Sequence, residues 1–179
     1  MFVTLAKKIK TAEPELKKEL GITNLHALPH IKKVVVNVGV GKAKDKKKNE
    51  LVADRLAKIT GQKAAPRGAK KSIASFKSRQ GDVVGYAVTM RGARMWSFLD
   101  KLLNVALPRM RDFKGIDAKA IDDVGNISIG LRENTIFPET ADEDLRDVFG
   151  MTITIVTTAK DKKSALAFFR ALNFPFKKS

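Results

Sequence analysis

The chain has 179 residues and a formal net charge of +16, from 35 Lys and Arg against 19 Asp and Glu. Its hydrophobic fraction of 44% is enough for a core and argues against a disordered chain. Cysteine is absent, which excludes disulfide scaffolds, zinc ribbons, iron–sulfur clusters and cysteine nucleophiles. No apolar run approaches the roughly 18 residues of a membrane span. We therefore expect a soluble, cytoplasmic protein with no signal peptide and no membrane partner.

The charge is distributed unevenly along the chain. Residues 1–80 carry 20 basic and 6 acidic side chains, whereas residues 81–179 carry 15 and 13. Within the second part, residues 117–147 carry 3 basic and 9 acidic side chains. The basic half predicts a polyanionic partner, and the acidic segment must have some other role.

The first half of the chain predicts helices and strands separated by basic connections. A short helix is expected over 12–20, with Thr11 as its cap, Pro14 in its first turn and Gly21 after its end. The elements that follow are a valine-rich buried strand at 32–39, a lysine-rich stretch at 42–48, a helix reaching Thr60 before Gly61, an edge strand at 62–67, and a loop at 68–81.

The second half continues the alternation of strands and helices. Its predicted elements are a strand at 82–91, a helix at 93–106 closed by Pro108, a basic–aromatic loop at 109–118, a strand contained within 121–131, a turn and acidic stretch at 136–149, a strand at 150–158, and a helix at 161–172. The inward residues of the two helices are predicted to be Trp96, Leu99, Leu102, Leu103 and Ala106, then Leu166, Phe169 and Leu172.

These elements predict an α+β fold in a single domain spanning 1–179. We expect one mixed or antiparallel sheet with helices packed on one face. The other face of the sheet and its adjoining loops would then be free to bind a ligand.

Several short motifs do not amount to a catalytic or metal site. Gly39, Gly41 and Lys42 follow a strand, as in phosphate-binding loops, but neither the dinucleotide nor the Walker pattern is complete. His26 and His30 lack further ligands at metal-binding spacing, and the acidic run from Asp142 departs from an EF-hand loop. We predict no metal and no cofactor. Five phenylalanines are predicted to belong to the core rather than to a base-stacking platform: Phe137, Phe168, Phe169, Phe174 and Phe176.

The loop at 68–81 is the strongest local candidate for RNA contact. Cations bind phosphates, hydroxyl and amide groups add directional hydrogen bonds, and an aromatic ring at a loop tip can stack on a base. The loop and its flank combine all three kinds of side chain: Arg67, Lys70, Lys71, Ser72, Ser75, Phe76, Lys77, Arg79 and Gln80.

Eight collinear motifs together resemble the family of the fifth protein of the large ribosomal subunit, in its bacterial form. They are VVVNVGVG (34–41), TGQK (60–63), AKKSIASFKSRQG (69–81), VTMRGARMWSFLDKL (88–102), PRMRDFKG (108–115), FPE (137–139), MTITIVTTAK (151–160) and NFPF (173–176). The resemblance runs from about residue 25 to residue 178. Pro66 and Arg67 depart from it, since this family usually has a small hydroxyl residue at the position of Arg67.

The resemblance implies a sheet with helices on its convex side and an RNA-binding face opposite. It implies that 5S rRNA is bound by Asn37, Gly39, Gln62, Lys63, Thr89 and Arg91. It implies that the loop residues Lys70, Lys71, Ser72, Ser75, Phe76, Lys77, Arg79 and Gln80 contact transfer RNA in the ribosomal P site. It also implies that residues 133–150 face a basic small-subunit protein in an intersubunit bridge, through Glu139, Asp142, Glu143, Asp144 and Asp147.

The function predicted from the sequence is therefore structural. We expect a constituent of the ribosome's central protuberance, next to other large-subunit components, with no catalysis. Two alternatives remain open at this point. One is a free RNA-binding regulator or chaperone that uses the same basic surface, and the other is an enzyme acting on nucleic acid.

Overall fold

The protein is described by a computed structural model that covers residues 5–41, 46–76, 78–111, 113–141 and 148–177. Its strands form one five-stranded antiparallel sheet. They are β1 (Ile31–Gly39), β2 (Ala65–Gly68), β3 (Val83–Met90), β4 (Ile127–Leu131) and β5 (Met151–Thr157), in the spatial order β2-β3-β1-β5-β4. The predicted α+β fold with a single sheet is confirmed, and β2 is at an edge, as the proline-containing segment predicted.

The helices lie between the strands and at both ends of the described chain. They are α1 (Leu5–Leu20), α2 (Lys46–Thr60), α3 (Gly92–Lys101), α4 (Leu107–Arg109) and α5 (Lys162–Ala171), with a π-helical segment at Leu102–Ala106. Among the described residues, no helix is both long and apolar enough to cross a membrane.

The first helix begins seven residues earlier than the sequence predicted. Leu5, Ala12 and Leu16 are buried on one side of α1, so tertiary packing extends the helix beyond its local start signals. Thr11 is therefore inside the helix and does not cap it. Pro14 is also interior, on the exposed side, where water can satisfy the carbonyl group that loses its donor. Gly21 follows the helix with φ +65°, as predicted.

The helix predicted to close at Pro108 continues through it. Helical backbone runs from α3 through the π-helical segment into α4, and Leu107 N–H donates to the Leu102 carbonyl across the wider turn. The prediction for the inward face of the helix at 93–106 was also partly wrong, because Trp96 and Leu103 are only half-buried. The buried residues keep the spacing of one helix face and then shift across the π turn: Met95, Phe98, Leu99, Leu102, Ala106 and Leu107.

The strand predicted within 121–131 is confirmed as β4, which begins at Ile127 because Asp122 accepts hydrogen bonds from the Asn126 backbone at 2.6 Å and side chain at 2.9 Å and closes a turn. The prediction for the inward face of the last helix was partly wrong. In α5, Leu166 is half-buried, whereas Ala165 and Phe168 are buried.

The residue contacts divide the chain into two compact units. Unit 1 comprises Met1–Val34, Arg91–Ile129 and Thr154–Ser179, and unit 2 comprises Val35–Met90 and Gly130–Ile153. In unit 1, α1 packs on α3 and α5, and Phe169 contacts Phe168 and Phe174 at ring-centroid distances of 5.6 and 4.9 Å. In unit 2, α2 packs on β3. The prediction of one domain spanning the whole chain stays a prediction.

The phenylalanines predicted for the core are confirmed with one exception. Phe137, Phe168, Phe169 and Phe174 are buried, whereas Phe176 is half-buried. Phe176 forms a parallel bridge with Ile116 in unit 1.

Candidate nucleic-acid interface

One face of unit 2 leaves the strand side chains open to solvent. Side chains alternate along a strand, and in β1 Val36 and Val38 are buried while Asn37 and Gly39 are exposed. Val36 and Val38 therefore belong to the core side of the sheet. Asn37 and Gly39 belong to the side that we call the open face.

The register of the strands brings small residues around Asn37. The Val40 N–H donates to the Val84 carbonyl at 2.9 Å, which in an antiparallel pair places Asn37 opposite Ala87 and Gly39 opposite Gly85. On the other side of β3, Ala65 pairs with Ala87 and Arg67 pairs with Gly85. The floor of the open face is thus glycine and alanine: Ala65 is exposed, and Gly85 and Ala87 are buried. No long side chain at these three positions keeps an RNA backbone away from the strands.

Gly85 has a second, local reason to lack a side chain. A Cβ atom on this residue would lie 2.8 Å from the Val38 carbonyl oxygen. The sequence did signal this feature, since a glycine within a predicted strand often marks a close approach. The small residues Ala65, Gly85 and Ala87 were nevertheless missed as part of the site.

Thr89 and Gln62 are brought together at the end of β3. Thr89 lies two residues beyond Ala87 on the same face and is half-buried. The Gln62 side-chain amide donates to the Thr89 carbonyl at 3.2 Å. The Thr60 hydroxyl contacts the Leu56 and Gln62 carbonyls at 2.6 and 3.1 Å, which fixes the exit of the chain from α2.

The two basic residues of the predicted 5S rRNA site differ in their setting. Lys63 is exposed in the connection between α2 and β2 of unit 2. Arg91 is exposed in unit 1, where it occupies the position before α3 and makes no side-chain cap.

The loop at 68–81 is closed by its own hydrogen bonds. Ile73 and Ser78 exchange backbone hydrogen bonds of 2.9 and 3.2 Å, and a single 3₁₀ turn at Ala74–Phe76 forms the tip. The Asp82 carboxylate accepts from the Arg79 N–H at 2.7 Å. In its described residues, the loop predicted at 68–81 is therefore a folded hairpin tip.

The predicted transfer-RNA residues occupy this tip. Lys77 lies outside the described residues. The Ser72 hydroxyl accepts a 2.9 Å hydrogen bond from the Gln80 N–H, so it has a structural role within the loop. The remaining residues are exposed: Lys70, Lys71, Ser75, Phe76, Arg79 and Gln80.

Between the folded tip and the strands is a groove of about 780 Å³. Its apolar lining includes Ile73, Phe76 and Val84, and two lysines also line it. Sequence reasoning identified Phe76 but missed Ile73, because the exposure of an isolated apolar residue depends on how the loop folds. The residues that line the groove are Gly39, Gly41, Ala69, Lys70, Lys71, Ile73, Phe76, Ser78 and Val84.

The acidic segment begins from an anchored base in unit 2. Asn134 is fully buried, and its side-chain oxygen accepts from the Phe149 N–H at 3.1 Å. The Thr140 hydroxyl donates to the Asn134 carbonyl at 2.7 Å. Glu139 is exposed within a 3₁₀ turn. The other predicted bridge residues lie outside the described residues: Asp142, Glu143, Asp144 and Asp147.

In the described parts of the chain, no three His, Asp or Glu side chains come close enough to share an ion. His30 instead contacts the Thr158 hydroxyl through Nδ1 at 3.1 Å.

The amino-acid sequence of the chain is similar to those of known proteins. Residues 24–79 match the family model described as ribosomal protein L5, and residues 83–176 match that of the ribosomal L5P family C-terminus. The chain is also similar to curated relatives named large ribosomal subunit protein uL5. That of Natranaerobius thermophilus is 50% identical, with 92% of each chain covered. That of Parasynechococcus marenigrum is 47% identical, with 93% of this chain and 94% of the relative covered.

A third relative, from Acidobacterium capsulatum, carries the same name. It is 47% identical over 175 residues, with 97% of this chain and 96% of the relative covered. The matched segments include the open face, the folded loop and the base of the acidic segment. The chain therefore belongs to the ribosomal protein L5 family.

Proposed function

We propose that the open face of unit 2 binds 5S rRNA, and that the chain holds this RNA in the central protuberance of the large ribosomal subunit. Members of the L5 family are structural, non-enzymatic ribosomal proteins, so the proposal concerns which RNA is bound and by which residues. The observation that carries it is the floor of small residues around Asn37, bordered by Gln62 and Thr89.

Each part of this surface suits RNA. Asn37 can donate to and accept from a base edge or a ribose hydroxyl. The glycine and alanine neighbours remove the side chains that would keep the backbone of the nucleic acid at a distance. Lys63 and Arg67 are exposed and supply charges for phosphates. Arg67 extends the basic rim where the family resemblance predicts a small hydroxyl residue.

The test is the affinity of the protein for purified 5S rRNA. Replacing Asn37→Ala or Thr89→Ala should weaken binding by about 1–3 kcal/mol, because a hydrogen bond to a base or sugar is lost. Lys63→Ala should lower the slope of log affinity against log salt by about 1, since one phosphate contact is removed. Asn104→Ala, at an exposed asparagine of unit 1, is the matched control and should bind normally. Wild-type affinity in all three interface variants would refute the assignment.

We further propose that the folded loop at 68–81 contacts transfer RNA in the P site. The loop ends in an exposed aromatic ring and carries exposed Lys70, Lys71 and Arg79. Its internal hydrogen bonds lower the entropy that must be lost on binding, because Ile73 and Ser78 are already joined by two backbone hydrogen bonds.

A third proposal concerns the acidic segment at 133–150. Its side chains would repel RNA phosphates and attract a basic protein, so we propose that it faces a small-subunit protein in an intersubunit bridge. The anchored base at Asn134 supports this role, because it holds both ends of the segment in unit 2.

A further inference from the structure

The groove at the folded loop exposes apolar side chains within a basic part of the chain. Phe76 is 75% exposed and Ile73 is 47% exposed. Val84 of β3 lies on the other wall, and Gly39 and Gly41 leave the end of β1 uncovered. Exposed apolar surface of this kind marks a binding site when its rim is polar.

The charges at the rim favour a ligand that combines a flat apolar group with negative charge. Lys70 and Lys71 line the groove, and none of the described residues that line it is acidic. The acidic residue Asp82 is close in sequence to the lining residue Val84 but does not line the groove, and its carboxylate accepts a hydrogen bond from the Arg79 N–H. A nucleotide has both properties, because its base has an apolar face and its phosphate is anionic.

A second copy of the chain would fit this groove poorly. Each chain has a net charge of +16. An interface between two copies of the groove would place Lys70 and Lys71 of one chain near the same lysines of the other. Like charges brought together in this way oppose association.

We propose that the groove binds a base of the transfer RNA whose ring face is not covered by stacking. Phe76 stacks on that face, Ile73 and Val84 contact the edge of the ring, and Lys70 and Lys71 bind the phosphates on either side. The inference rests on the proposed contact between the loop and transfer RNA, and it adds the part of the RNA that is recognised. Recognition is through the ring face, so it does not depend on which base is present.

The experiment uses the full chain and a single-stranded RNA octamer with a central 2-aminopurine, whose fluorescence falls on stacking. The octamer should bind with quenching, and the same strand in a duplex should not be quenched. Phe76→Leu keeps an apolar side chain but removes the ring, and it should weaken binding about 5-fold or more. Phe76→Trp should restore binding. Val124→Ala, at a 62% exposed valine of unit 1, is the matched control.

An octamer with an abasic site in the centre isolates the stacking contribution. The wild-type protein should bind the abasic octamer as weakly as the Phe76→Leu variant binds the intact octamer. The Phe76→Leu variant should bind the abasic octamer no more weakly than the wild-type protein does. Equal affinity of the wild-type protein for the intact and abasic octamers would overturn the proposal. So would self-association of the protein that Phe76→Leu abolishes, because the groove would then bind a second copy.

Assembled ribosomes separate this inference from the proposed loop function. Phe76→Leu should weaken P-site transfer RNA and Phe76→Trp should not. If replacing the whole loop weakens transfer RNA while Phe76→Leu has no effect, the loop contact holds and the base-binding groove is refuted. If neither change affects transfer RNA, both proposals fail.

Discussion

Gly115 is a residue whose identity is set by a distant part of the chain. It has φ +98°, and a Cβ atom there would lie 2.6 Å from the Lys177 backbone nitrogen and 2.8 Å from the Phe176 carbonyl carbon. The segment that follows Gly115 is in close contact with the C-terminal segment, because the Ile116 N–H donates to the Pro175 carbonyl at 2.7 Å. Gly21 also has a positive φ, but no atom lies within 4 Å of its hypothetical Cβ.

We predict that Gly115→Ala destabilises the protein more than Gly21→Ala does. Gly21→Ala should lower the free energy of unfolding by about 1–2 kcal/mol, the cost of left-handed backbone for a non-glycine residue. Gly115→Ala has this cost and must also displace the backbone at 176–177, so its loss should be larger. Chemical denaturation of both variants measures the difference. Equal losses would show that the C-terminal segment moves aside at no cost.

The fold clearly alters the titration of Asp161. The Ser164 hydroxyl donates to its carboxylate at 2.6 Å, and the Ser164 N–H does so at 3.3 Å. These hydrogen bonds hold the pKa of Asp161 below its ordinary value. Since the folded state favours the charged form, the stabilisation is complete above the ordinary pKa of about 3.9. It is lost as the pH falls through the lowered pKa.

We therefore predict a stability loss for Asp161→Ala that depends on pH. Thermal unfolding should give a lower Tm than wild type at pH 7, because α5 loses its N-terminal cap. The difference should shrink as the pH falls below the ordinary pKa and through the lowered pKa, where the carboxylate of the folded wild-type protein becomes protonated. Asp123→Ala, at another exposed aspartate, should have little effect at either pH. A Tm difference that is constant with pH would contradict the charged-cap explanation.

At the scale of elements, the loop at 68–81 is separable from the sheet that carries it. Ala69 and Gly81 are already hydrogen-bonded across the hairpin, with the Gly81 N–H donating to the Ala69 carbonyl at 3.0 Å. The loop side chains beyond this pair are mostly exposed. A shorter turn should therefore join β2 to β3 without altering the open face.

We predict that replacing residues 70–80 by Asn-Gly leaves 5S rRNA affinity within about twofold of wild type. Asn-Gly is favoured in two-residue hairpin turns, and neither Asn37 nor Thr89 is removed. P-site transfer RNA on assembled ribosomes should bind more weakly, as judged by its dissociation rate. Loss of 5S rRNA binding with normal transfer RNA binding would reassign the loop to the other interface.

Some element boundaries could be predicted and others could not. β1 and β5 were placed within one residue, because dense β-branched residues fit a buried strand. α1 was predicted too short, because Leu5, Ala12 and Leu16 become a buried stripe only when α3 and α5 are present. The continuation past Pro108 has a similar cause: the π segment changes the hydrogen-bond register ahead of the proline.

For the whole molecule, the uneven charge predicts two kinds of partner. Residues 1–80 have a net charge of +14, and residues 117–147 have a net charge of −6. Single exposed ion pairs contribute only about 0.2–1 kcal/mol each, so the bridge proposal needs a multiple substitution for its test.

We predict that replacing Asp142, Glu143 and Asp144 by Lys weakens association of the ribosomal subunits at low salt, because attraction to a basic protein becomes repulsion. The difference should shrink as salt rises and screening increases. Light-scattering titration of reconstituted subunits measures the association. Reversal of Glu13, Glu15 and Glu19 in α1 changes the net charge equally and serves as the control. The same association curve for the two triple variants would refute the bridge assignment.

The sequence by itself determined the family, the α+β class, the basic half and most of the phenylalanine core. These properties depend on composition, periodicity and ordered motifs, which the chain carries without reference to its folded form. Only the tertiary structure decided that Asn37 lies on a floor of Ala65, Gly85 and Ala87, that Gln62 is hydrogen-bonded to Thr89, and that the loop forms a groove. The physical reason is that strand register and loop closure join residues far apart in sequence, and the strength of each such contact depends on all the others being formed.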